Sequence, residues 1–136
     1  MQIEYLLDTD ICVYIANQTH ATIFDKLNNL KIGQIGMSII TAGELLYGAC
    51  KSVHVKKNHQ MFEDLSQLIT PLTLPLNSAK IYGEIRSNLE KQGKPIGQND
   101  LWIAAHALAL DVILVTNNIK EFSRIPQLKL ENWVAA

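Results

Sequence analysis

Ile3-Glu4-Tyr5-Leu6-Leu7-Asp8-Thr9-Asp10-Ile11-Cys12-Val13-Tyr14-Ile15-Ala16 reads as a strand, a carboxylate at its end and a helix. The apolar run Ile3–Leu7 stops abruptly at Asp8-Thr9-Asp10, and Thr9 or Asp10 is placed to cap the helix that follows. The same alternation continues along the chain. Ala21–Leu30 carries Ile23, Phe24, Leu27 and Leu30 on one helical face, and Ile35–Ile40 reads as a buried strand. Thr41–Cys50 and about Lys57–Ile69 resume helix, and Leu72-Thr73-Leu74 is a short strand between Pro71 and Pro75. Ser78–Lys91 is a helix ended by Gly93 and Pro95, and Asn99 or Asp100 caps a second one over Leu101–Leu110 that is apolar nearly all round. Val112–Val115 is a fully apolar strand, and a last strand lies near Leu128–Glu131. Short apolar strands separated by helices predict an α/β domain over residues 1–136: a parallel sheet of four to five strands with helices on both faces.

Composition agrees with one ordinary core. The chain has 136 residues, 48% of them hydrophobic and 18% charged, which excludes a disordered protein. Lys+Arg 12 against Asp+Glu 13 leaves −1, so no global field draws it to nucleic acid or membrane. The first ten residues hold Glu4, Asp8 and Asp10 but no Lys or Arg, unlike a secretory signal. No apolar run approaches the roughly 18 residues of a membrane span. Cys12 and Cys50 sit in apolar helical stretches without metal-like spacing and read as buried thiols. Together these features predict a soluble, cytoplasmic protein with no membrane partner.

In open α/β sheets, ligands bind beyond the carboxyl ends of the strands. Asp8, Thr9 and Asp10 follow the first strand, Thr41-Ala42-Gly43-Glu44 the second, and Thr116-Asn117-Asn118 the fourth, while Asn99-Asp100 opens the buried helix. Each has a structural explanation: Thr41-x-x-Glu44 fits a capping box, and Thr9, Asp10, Asn99 and Asp100 fit helix caps. Carboxylates converging at a dry sheet edge repel unless protonated or neutralised, and hard Mg²⁺ or Mn²⁺ is the natural neutraliser. Such a centre suits phosphodiester hydrolysis, in which a metal-activated water attacks the phosphodiester.

Leu6-Leu7-Asp8-Thr9-Asp10-Ile11-Cys12, Ala42-Gly43-Glu44-Leu45-Leu46-Tyr47-Gly48-Ala49, Pro95–Ala107 and Val115-Thr116-Asn117-Asn118-Ile119-Lys120-Glu121-Phe122 resemble, in that order, the PIN-domain ribonuclease toxins of the VapC type, as does Leu130-Glu131-Asn132-Trp133. The resemblance implies a Mg²⁺- or Mn²⁺-dependent endoribonuclease toxin that blocks translation by cutting a structured RNA such as a tRNA. It also implies a cognate antitoxin, commonly inserting a basic side chain into the site, and a toxin homodimer. Carried over by position, Asp8, Glu44 and Asp100 match the metal-binding acids. Asn118 falls where many relatives have a fourth acid, with Asn117 the adjacent alternative, and Thr116 would steady the site. Asp10 stands where many relatives have Asn, and helix capping is its favoured role. An amide at Asn118 weakens a second metal position, because it offers a neutral oxygen in place of a charge.

Two other functions fit parts of the sequence. One is a catalytically weak PIN-fold module that binds RNA or protein, supported by Asn118. The other is a phosphatase opening on Asp8-x-Asp10 with Asp8 as nucleophile, but the later lysine and Gly-Asp pair have no suitable match. His106 lies about 600° around the helix from Asp100 and reads as a core histidine bonded to backbone. Trp102 reads as packing, and Lys51–His59 is a basic run equally suited to RNA phosphates or to a solvated connection.

Overall fold

The computed structural model describes residues 2–134. Five strands, β1 (Tyr5–Leu7), β2 (Ile35–Ser38), β3 (Thr70–Leu72), β4 (Ile113–Val115) and β5 (Leu130–Glu131), form an all-parallel sheet in the order β3-β2-β1-β4-β5. The helices are α1 (Thr9–Ala16), α2 (Ala21–Leu27), α3 (Ile39–Lys51), α4 (Val55–Leu68), α5 (Ser78–Lys91), α6 (Gln98–Leu110) and α7 (Ile119–Phe122). The expected single α/β sheet is present.

Adjacent strand residues face opposite sides, and this divides the core in two. Leu7 and Val115 join Ile11, Cys12, Ile15, Ile23, Met37 and Leu65 under α1–α4. Leu6 and Leu114 join Leu89, Leu101, Ile103, Ala104 and Phe122 under α5–α7. At Gly36 the chains come close: an added Cβ would meet Leu72 Cδ1 at 2.7 Å and the Thr70 carbonyl at 3.0 Å.

Several boundaries differ from the sequence expectation. Asp8, not Thr9 or Asp10, caps α1: its side chain accepts from the Asp10 N–H. Thr41 and Glu44 form no capping box, because α3 starts earlier, at Ile39, and the Ser38 hydroxyl accepts from the Ile40 N–H. Gly97 occupies the cap position of α6, so Asn99 and Asp100 belong to its first turn. The third strand covers Thr70–Leu72 instead of residues 72–74, since it pairs with β2 from Gly36 to Ser38. Cys12 is buried, but Cys50 is exposed, and both are free thiols.

Candidate active site

Parallel strands all end on the same side, so the residues after β1, β2 and β4 share one edge. The C-terminus of α6 leads directly into β4, so α6 runs against the strands and its first turn returns to that edge. In this way Asp8, Glu44 on α3, Asp100 on α6 and Thr116 after β4 meet.

Asp8 is buried, only 5% exposed. Its Oδ2 accepts from the buried Thr116 hydroxyl at 2.5 Å and its Oδ1 from the Asp10 N–H at 3.2 Å. Burial raises its pKa, Thr116 and the Asp10 amide oppose this, and the charges of Asp10 and Glu44 add to the rise. Thr116 is tied a second time, its Oγ1 accepting from the Asn118 N–H at 2.9 Å. Glu44 is held by the Thr9 hydroxyl, 2.5 Å from Oε1, and by Asn99 Nδ2, 3.4 Å from Oε2. Thr9 Oγ1 also lies 3.1 Å from Thr41 Oγ1, which gives Thr41 a place in this network.

Asp100 is partly buried, and its pKa is raised to about 6, first by burial and then by the charges of Asp8, Glu121, Glu44 and Asp10. Four acids therefore act on one half-buried carboxyl. Asp10, although near enough to contribute, is exposed.

The end of β4 corrects the sequence reading in one respect. Asn118 Nδ2 donates to Glu121 Oε2 at 2.5 Å, and Glu121 acts on Asp100 more strongly than Glu44 does. Glu121 thus supplies negative charge beside the amide, and sequence reasoning gave it no role. Its signal was the three-residue spacing from Asn118, which matches a reciprocal cap. Asn117 is turned away: exposed, it accepts from Asn132 Nδ2 at 3.1 Å.

Among the described residues, no three His, Cys, Asp or Glu side chains are gathered closely enough to hold an ion together. The donors still suit a hard cation, being carboxylates and hydroxyls whose mutual repulsion a positive charge relieves. Mg²⁺ commonly takes only one or two carboxylates and keeps waters for the rest.

The fold is a parallel α/β sheet with acids along its carboxyl edge, and the PIN-domain family model matches residues 5–128. Ribonuclease VapC2 of Rickettsia felis is 47% identical over 95% of this chain and 97% of the relative. The tRNA(fMet)-specific endonuclease VapC of Shigella flexneri is 36% identical over 96% and 98%. Among solved structures, VapBC-1 of nontypeable Haemophilus influenzae superposes with a TM-score of 0.91 at 36% identity, covering 98% of this chain and 100% of that one. VapBC2 of Rickettsia felis, bound to a DNA fragment from its promoter, gives 0.87 at 39% identity, with 96% and 99% covered. The chain belongs to the PIN-domain family, within its group of VapC ribonucleases.

Proposed function

We propose that this protein is a Mg²⁺- or Mn²⁺-dependent endoribonuclease, the toxin of a toxin–antitoxin pair, and that it cuts a structured RNA of the tRNA class. The observation that carries this is the acidic edge of Asp8, Glu44 and Asp100, in a chain resembling the Shigella tRNA(fMet)-specific endonuclease along nearly its whole length. Asp8, Glu44 and Asp100 would hold the ion, directly or through its waters, with Glu44 oriented by Thr9 and Asn99. When bound, a divalent cation activates water and offsets charge developing on the phosphate. Thr116 keeps Asp8 oriented. Asn118, hydrogen-bonded to Glu121, supports the same edge. A phosphatase or an inactive binding module has no comparable support.

The partner in this proposal is a cognate antitoxin, since similar chains occur in VapBC complexes. An apolar cavity of about 310 Å³ between α1, α3 and α4, lined by Val13, Leu45, Met61 and Phe62, opens on Thr9 and Glu44 and gives such a partner a route to the acids. A homodimer is also proposed: Ile39, Gly43 and Tyr47 form an exposed stripe along α3. The second copy is tested by light scattering. The described residues contain no helix long and apolar enough to cross a membrane. The activity is tested with purified, antitoxin-free protein on total cellular RNA, with Mg²⁺, Mn²⁺ or EDTA and with cut ends mapped by sequencing. Discrete metal-dependent cuts with 5′-phosphate ends are expected.

A further inference from the structure

His106 is fully buried in α6, yet it belongs to none of the acidic contacts. A neutral imidazole inside an apolar helix is costly unless hydrogen-bonded, and an aliphatic side chain would fill the space without that cost. Its Nδ1 lies 2.8 Å from Ser38 Oγ, and the Thr73 backbone is a second hydrogen-bonding neighbour of the ring. Ser38, also fully buried, is the last residue of β2 and caps α3 by accepting from the Ile40 N–H at 3.1 Å. The imidazole therefore grips the point where β2 turns into α3, and the Ser38 hydroxyl adds to the backbone partner that the sequence predicts, which the Thr73 backbone supplies.

The placement of the two acids relative to this contact gives it a consequence. Glu44 lies six residues beyond Ser38 along α3, and Asp100 six residues before His106 along α6. Six helical residues span about 9 Å, so a tilt of about 5° at the contact moves an acid by roughly 0.8 Å. Displacements of about 1 Å at a reacting centre are enough to cost on the order of 10²-fold in rate.

We propose that His106 is a positioning residue: through the Ser38 hydroxyl it pins the start of α3 to α6 and so sets the spacing of Glu44 and Asp100. The proposal rests on the nuclease assignment above and names a determinant of that site's geometry.

The test compares wild type, His106→Leu, Ser38→Ala and Ser38→Thr by Mn²⁺ titration calorimetry, by kcat and KM for RNA cleavage, and by thermal unfolding. Folded His106→Leu and Ser38→Ala should bind Mn²⁺ about 10-fold more weakly. Their kcat should fall 10- to 100-fold with KM for RNA changed less than twofold, and Ser38→Thr should restore both. Mn²⁺ affinity and kcat within twofold of wild type in folded variants would overturn the proposal, as would a loss confined to KM. If His106→Leu does not fold, the Ser38→Ala and Ser38→Thr pair decides alone. A wild type that neither cuts RNA nor binds Mn²⁺ refutes the nuclease assignment and the proposal with it. A wild type that binds Mn²⁺ without cutting RNA refutes only the assignment, and the affinities still judge the contact.

Discussion

Replacing Asp100 by Asn should make the ion-free protein more stable while removing its activity. The Asp100 carboxyl is moved from its ordinary 3.8 to about 6, chiefly by burial and by Asp8. A displacement of that size disfavours the ionised form in the folded state by about 3 kcal/mol. Asp100 sits in the first turn of α6, where the helix dipole favours a negative charge by only about 0.3–1 kcal/mol, so burial and repulsion win. Partial solvation lowers the effect further, and a gain of about 1–2 kcal/mol is expected, roughly 4–8 °C for a chain of this size. The pH dependence fixes the sign. With its pKa raised in the folded state, wild-type Asp100 binds a proton on folding between about pH 6 and 4, and wild type gains stability there as pH falls. The advantage of Asp100→Asn should be complete above about pH 6 and gone below about pH 4. Thermal unfolding in EDTA from pH 4 to 8 measures it. A variant no more stable than wild type at pH 7.5, or a gap that does not close on acidification, would refute the electrostatic account.

Mg²⁺ or Mn²⁺ should raise the Tm of wild type in a concentration-dependent way and leave Asp100→Asn nearly unmoved, as a shift scan would reveal. Thr116→Val removes the donor to Asp8 Oδ2 and the acceptor for the Asn118 N–H, and should cost about 1.5–3 kcal/mol in denaturant unfolding as well as most RNA cleavage. Glu121→Gln keeps an oxygen for Asn118 but removes a charge from beside Asp100, so carboxyl NMR should show Asp100 titrating below about 6. An unchanged Asp100 titration would show that Glu121 does not act on it. Leu6→Ala opens the core under α5–α7 and should cost about 2–5 kcal/mol by chemical denaturation.

The sheet was legible because β1 and β4 are runs of apolar residues that stop at a polar one, at Leu7-Asp8 and Val115-Thr116, and runs buried on both faces are typical of a parallel sheet covered by helices. Asp8 was legible for the same reason, since a carboxylate directly after an apolar strand stands at its carboxyl end, whereas Glu44 and Asp100 reach that edge on helices. Caps were less so. After β1 three consecutive residues can all cap a helix, and backbone geometry, which chooses Asp8, is not written in residue type. Ile39 and Ile40 look like strand because they are β-branched, yet Ser38 ends β2 and starts α3 before them. Glu121 escaped notice because α7 is only four residues long and has no periodicity to reveal which side chains turn toward the site. The long-range pair of Ser38 and His106 required the fold itself, since 68 residues separate them.

RNA cleavage by wild type and Asp100→Asn under Mg²⁺, Mn²⁺ and EDTA tests the central claim most directly. Discrete cuts made by wild type with either ion, abolished by EDTA and absent from the folded and more stable variant, are the expected result. Equal cleavage by both proteins, or cleavage that persists in EDTA, would contradict a metal-dependent nuclease centred on Asp100.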